Sequence, residues 1–218
     1  MSAKSILTIA LFYLINGPFC DFLEVFGVAG PWIGFIDYTL LFVIILALHF
    51  PRIKEAFSDL KDKEQAPYRF LLETAAIMVL SFLLTNLLVY LFGNFLNLDI
   101  LPQNTENLKE NTAELPKLLT FLMMAIYAPI IEETVFRESF IGWPEKSDSS
   151  AITLMTLISI VSFDFIHVIQ VHEFLYYLPL SIGLTLVYRR NDRNLASSIT
   201  AHMLTNTVAF ILILVGGL

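Results

Sequence analysis

The chain has 218 residues, of which 56% are hydrophobic and 15% charged, with 19 Phe and a mean hydropathy of +0.71, a balance that excludes an ordinary soluble domain. The net charge of −7 lies mostly in two acidic stretches outside the apolar runs and so says little about partners. No basic patch with interleaved aromatics points to nucleic acid, and the single Cys20 excludes an intrachain disulfide and any multi-cysteine metal site.

Several runs approach the ~20 apolar residues that cross a ~30 Å hydrocarbon core. The sequence therefore predicts an all-α, polytopic transmembrane helical bundle of about seven spans, one domain over residues 1–218. The first apolar segment, 5–28, follows Lys4 and is interrupted by Asn16-Gly17-Pro18. With one early Lys, no Ala-x-Ala-like exit and a poor lipoprotein site before Cys20, it reads as a retained, kinked helix rather than a signal peptide. The next segments are 34–50, closed by Pro51, then 71–97, 117–141, 151–169, the short 174–188 with Pro179 and Gly183, and 195–218. There is no internal repeat.

Lys and Arg set the expected orientation. Residues 52–69 carry five of them and Arg189, Arg190 and Arg193 cluster in a second loop, whereas 98–116 holds one Lys against several acids. Seven crossings put both basic loops and the N-terminus in the cytoplasm. His49 and His172 fall at segment ends and read as interfacial.

Within the later apolar runs sit residues that do not belong in hydrocarbon: Glu132, Glu133 and Arg137 in one, Asp164 and His167 in the next, His202 and Asn206 in the last. Intramembrane ionisable groups mark a functional site by default. At ~100° per residue Glu133 and Arg137 share a helix face and can pair, while Glu132 points away from that pair and stays free. An unpaired carboxylate in a low-dielectric pocket suits a general base. Phe163 precedes His167 by one turn, and Asp164, three before it, is a candidate to orient the imidazole. His202 and Asn206 share a face, where imidazole and carboxamide donors can hold a developing oxyanion.

The strings Glu132-Glu133-Thr134-Val135-Phe136-Arg137, Phe163-Asp164-Phe165-Ile166-His167 and His202-Met203-Leu204-Thr205-Asn206, in this order on consecutive apolar helices, resemble the signature of the CPBP (Abi) family. These intramembrane proteases join CAAX prenyl endopeptidases to bacterial bacteriocin-processing and self-immunity proteins. The resemblance covers about residues 115–212. It implies an intramembrane endopeptidase of a bacterial cell membrane. Glu132 and His167 would activate water, His202 and Asn206 would stabilise the oxyanion, and Glu133, Arg137, Phe163 and Asp164 would support the site. The implied substrate is a membrane-associated peptide or protein, such as a bacteriocin precursor, a leader peptide or, where the host prenylates proteins, a lipidated tail.

The family is commonly labelled metalloprotease, and Glu132, His167 and His202 could form a zinc site with an open position. No His-Glu-x-x-His pair is present, however, and a base Glu with an amide-containing oxyanion hole needs no metal, so a cofactor-free mechanism is favoured. The rival readings are a non-catalytic scaffold or self-immunity protein that binds another membrane protein, and a proton-coupled transporter, which the lack of a repeat disfavours. One expectation concerns depth. Counted from the basic boundaries, His202 lies about seven residues in and His167 about sixteen, more than ~10 Å apart at ~1.5 Å per residue. Convergence therefore demands a shifted, broken or strongly tilted helix.

Overall fold

A computed structural model describes residues 1–62, 67–96, 113–145 and 148–216, and among these the regular elements are all helical. Helix α1 (Ala3–Leu14) passes through a π-helical turn, Ile15–Phe19, into α2 (Cys20–Val25). The long helices α3 (Gly30–Asp62) and α4 (Pro67–Leu96) follow. The next rod alternates between two helical forms: α5 (Lys117–Phe121), a π segment Leu122–Tyr127, the single α turn α6 (Ala128–Glu132), and a second π segment Glu133–Ser139. Helix α7 (Ser149–Phe165), a 3-10 turn Val171–Glu173, α8 (Phe174–Arg190) and α9 (Leu195–Leu214) complete the bundle.

All seven predicted segments are thus helical. Five are long and apolar enough to cross a membrane: Ala3–Val25, Gly30–Lys61, Arg69–Phe95, Lys117–Ser139 and Leu195–Leu214. Helices α7 and α8 have 17 residues each, ~25 Å at 1.5 Å per residue, and form a shorter hairpin. The protein is a multi-pass membrane protein. The acidic stretch 98–116 lies mostly outside the described residues.

Two boundaries differ from the sequence reading. Pro51 does not end the second segment; α3 runs through it to Asp62. A proline removes one intrahelical bond but does not forbid a helix whose neighbours hold it in place. His49 consequently lies inside the helix rather than at an interface. It is 4% exposed, with Nε2 2.8 Å from Thr8 Oγ1 on α1. The Thr8 hydroxyl already donates to the Lys4 carbonyl, so it accepts from the imidazole. Helix α7 stops at Phe165, leaving His167 in the turn that follows.

The Lys117–Ser139 rod is central: 61% of its most apolar window is buried, against 6% for α4, which therefore faces lipid along most of its length. Ile131, Val135 and Phe136 of the rod pack with Leu41 and Ile45 of α3, Leu184 and Val187 of α8, and Ile199 of α9. Helix α4 reaches the core side through α8, where Gly183 permits close approach. A Cβ there would stand 2.3 Å from Ser81 Oγ.

The far end of the rod is pinned by basic residues. Arg52 Nε meets Glu138 Oε1 at 2.7 Å, and Tyr188 donates to the other oxygen at 3.1 Å. Arg193 Nη1 donates to the carbonyls of Ile141 and Pro144, at 3.0 and 2.8 Å. Gly142 sits under the Tyr188 hydroxyl, too close to the Glu138 carbonyl for any side chain. The arginines read as orientation signals thus also anchor the rod that carries Glu132 and Glu133.

Candidate active site

The site is built around a break in helical register. Pro129 has no N–H. In π geometry that N–H would bond the carbonyl five residues back, Met124, within the π segment Leu122–Tyr127. Asn206 of α9 fills the place, donating from Nδ2 to the Met124 carbonyl at 2.9 Å. The second π segment has a similar repair: Ser139 Oγ donates to the Thr134 carbonyl at 2.9 Å, and Ser159 Oγ of α7 to that of Phe136 at 2.6 Å. Glu132 closes the short α turn between the two segments.

Glu133 and Arg137 pair as their spacing predicts, Nε to Oε2 at 3.3 Å with both side chains fully buried. The alignment falls short of a hydrogen bond, so the contact is chiefly Coulombic. Glu133 also reaches across to α9: its Oε1 accepts from His202 Nδ1 at 3.0 Å. The Arg137 guanidinium lies 4.4 Å over the Phe163 ring, and its Nη2 points to the Ser181 carbonyl at 3.4 Å. Phe163 is the hub of the packing. Its ring is 4.6 Å from His167, 5.8 Å from His202 and 5.6 Å from Phe136, centroid to centroid.

His167 Nδ1 lies 2.8 Å from the Phe163 carbonyl, which can only accept, so this nitrogen carries a proton. The imidazole is therefore oriented by the backbone one turn back and not by the Asp164 carboxylate that the sequence offered. Asp164 contributes its carbonyl, which accepts the His167 amide at 3.0 Å. Its buried carboxyl lies beside Ser181 and within electrostatic reach of Arg137, without an aligned hydrogen bond among the described residues.

With both Nδ1 atoms engaged, the two imidazoles turn Nε2 toward one oxygen. Glu132 Oε2 stands 3.7 Å from His167 Nε2 and 3.9 Å from His202 Nε2, and has no hydrogen-bond partner among the described residues. The gap exceeds a direct hydrogen bond and suits a small bridging group. The other Glu132 oxygen accepts from the Tyr38 hydroxyl at 3.2 Å. Tyr38 is on α3, in the part of the chain where the sequence reading found only helical context. A lone tyrosine in an apolar run carries no signal that could have singled it out. Tyr177 also stacks near His167, at 4.9 Å between ring centroids.

The structure therefore brings Glu132, His167 and His202 together, with Glu133, Arg137 and Phe163 behind them. It places Asn206 one turn beyond His202, turned to the Met124 carbonyl. Both histidines approach one oxygen, although α9 needs seven residues to reach His202 and α7 ends sixteen residues past Ser149. Hence α7 does not run parallel to α9 from a common level, and His167 is gained from the turn beyond it.

Comparison with known proteins gives a family match for part of the chain. Residues 114–208 match the family model described as Rce1-like, type II CAAX prenyl endopeptidase. Residues 114–208 thus match an Rce1-like domain, of the CPBP family. Among curated relatives, the UPF0177 protein YbdI of Lactococcus lactis subsp. lactis (strain IL1403) is 29% identical over 76% of this chain and 88% of its own length. The UPF0177 protein YaiF of the same strain is 28% identical over 96% of this chain and 97% of its own. A third, YaiH, reaches 38% identity over 40% of this chain and 35% of its own length. No solved structure matches the chain. The Rce1-like match contains Glu132, Glu133, Arg137, Phe163, His167, His202 and Asn206, and excludes Tyr38. At family level the match supports an intramembrane CAAX-type endopeptidase.

Proposed function

We propose that this Rce1-like protein hydrolyses a peptide bond of a membrane-associated peptide or protein, using a water held between Glu132 and His167 and no metal. The observation that carries the reading is the unpartnered Glu132 Oε2, buried and faced by two anchored imidazoles. Water in that gap donates one proton toward Glu132 and the other toward the bare His167 Nε2. Its oxygen attacks the scissile carbonyl carbon, and its proton passes to Glu132. Collapse of the tetrahedral oxyanion breaks the C–N bond, and Glu132 returns the proton to the leaving amine.

The oxyanion needs donors. His202 serves when both ring nitrogens carry protons, with Glu133 compensating the charge through Nδ1. Asn206 has two amide N–H groups; one is given to Met124, and the second is the further donor. The Lys and Arg excess of loops 52–69 and 189–193 supports a cytoplasmic N-terminus, and the Lactococcus relatives support a bacterial cell membrane.

A zinc reading has one observation in its favour: each histidine fixes Nδ1 and presents Nε2 to the same carboxylate, as metal ligands do. Glu132, His167 and His202 would hold the ion, which would supply Lewis acidity. The spacing is less suitable. Tetrahedral zinc with ~2.0–2.2 Å bonds sets its ligand atoms ~3.4 Å apart, and these stand at 3.7 and 3.9 Å.

The test is a comparison of peptide termini. Membranes from cells expressing the wild type, Glu132→Gln and His167→Ala are analysed by mass spectrometry for newly formed N-termini. New termini should appear with the wild type and vanish in both variants at equal protein level. Identical termini in all three would leave a non-catalytic partner as the function.

A further inference from the structure

Asp37 is a buried carboxylate that the proposed chemistry does not use. It is 2% exposed, its Oδ1 has no hydrogen-bond partner among the described residues, and it lies beside the Cys20 thiol. The thiol in turn points to the Ile15 carbonyl at 3.3 Å, in the π turn opened by Pro18. In the same turn Asn16 Nδ2 is also buried without a partner among the described residues. Unpartnered buried polar atoms in native proteins are ordinarily satisfied by water.

These groups lead to the site. The Tyr38 hydroxyl lies within electrostatic reach of Asp37, Cys20 and Glu132, and donates to Glu132 Oε1. Toward the start of α3 the same face carries Gly34 and Gly30, four and eight residues before Tyr38. Space is left beside them: a Cβ on Gly34 would meet only Met123 Sδ, at 3.9 Å, and one on Gly30 or Gly17 would meet nothing within 4 Å. Tyr38 is eight residues inside α3, ~12 Å by helical rise.

We infer that Gly30, Gly34, Asn16, Cys20 and Asp37 line a water track from the Phe26–Ala29 turn to Tyr38 and Glu132. Each hydrolysis consumes one water. The open edge of the site is at His167, whose side chain is 15% exposed against 3% for Glu132. A peptide lying across that edge blocks it during turnover, so water must arrive from behind Glu132. The track's role in catalysis rests on the proposed protease reading; its hydration does not.

Cys20, the sole cysteine, is a built-in probe. In lipid nanodiscs a permanently charged methanethiosulfonate should label Cys20, because a thiol in lipid alone does not meet that reagent. Gly34→Leu, which plugs the track one turn before Asp37, should cut this labelling at least tenfold. A lipid-soluble maleimide should still react, which reports a free thiol, and an unchanged unfolding midpoint in detergent should report an intact fold. Asp37→Leu should act likewise and Asp37→Asn should not. In a cleavage assay Gly34→Leu should lower turnover at least fivefold at unchanged KM. No labelling of the wild type by the charged reagent, or equal labelling of wild type and Gly34→Leu, overturns the track. So does full turnover by Gly34→Leu, since water would then pass His167. If the labelling pattern holds and the wild type cleaves nothing, the track stands and the protease reading falls.

Discussion

Arg137 and Glu133 should be more valuable as a pair than either is alone. In Arg137→Met the fully buried Glu133 loses its guanidinium and keeps the hydrogen bond from His202. Breaking a buried pair by removing one partner costs ~3–5 kcal/mol, and loss of the contact with Phe163, made at 4.4 Å, adds about 1 kcal/mol. Glu133→Gln keeps an acceptor for His202 and strands the guanidinium instead, for ~3 kcal/mol. The double variant strands neither charge. What remains is packing and the lost contact on Phe163, so it should be more stable than the two single costs summed by at least ~2 kcal/mol. Glu132→Gln provides the contrast. Its Oε2 has no hydrogen bond to lose and Oε1 remains an acceptor for Tyr38, so the change should cost under ~1 kcal/mol. The assay is reversible unfolding in mixed detergent–SDS micelles, followed by the fluorescence of Trp32 and Trp143. If the two single costs simply add, Glu133 and Arg137 are independent and the ion pair is not what holds the site.

Three further outcomes are expected. Gly183→Ala should destabilise by ~1–3 kcal/mol through overpacking, because its Cβ would lie 2.3 Å from Ser81 Oγ and 2.9 Å from Met78 Cε; Ser81→Ala in the same background should recover part of it in the same unfolding assay. Asn206→Ala strands the Met124 carbonyl, at ~1–3 kcal/mol, and should also slow turnover of the folded protein ~100-fold, as loss of one oxyanion donor does; stability loss with normal turnover would reduce Asn206 to a cap. Chelator treatment and dialysis should leave cleavage unchanged, whereas silencing with recovery on added zinc would replace the metal-free proposal.

Much of the fold was legible because membrane spans write themselves in uninterrupted apolar runs. All seven segments are helices, and the Asn16-Gly17-Pro18 interruption is the π turn Ile15–Phe19. Boundaries were less legible where one residue has two uses. Pro51 ends helices in water but is carried inside α3, which moved His49 from an expected interface to a buried bond with Thr8. The π segment before Glu132, Leu122–Tyr127, is apolar on every face and left no periodicity to read, while the spacing of Glu133 and Arg137 in the one after it fits an α turn as well as a π turn. Ser139 repairs its own segment, but the other repairs come from other helices, from Asn206 and Ser159, and no local pattern announces such a donor.

The site was legible as a set of charges and illegible as a set of hydrogen bonds. Spacing alone assigned Glu133 to Arg137, as the structure has it; Glu132, read as free, stays out of that pair but accepts from Tyr38 through one oxygen. Spacing could not tell which neighbour orients His167, because residues three and four back are equally within reach of a turn; the Phe163 carbonyl holds it, and Asp164 does not. That choice matters chemically. A carbonyl behind His167 favours a neutral ring with a bare Nε2, which is what an acceptor of a water proton must be. A carboxylate behind His202 can balance a second proton, which is what a donor to an oxyanion must carry. The two imidazoles face one Glu132 oxygen at nearly the same distance. What separates base from donor is therefore the atom behind each ring.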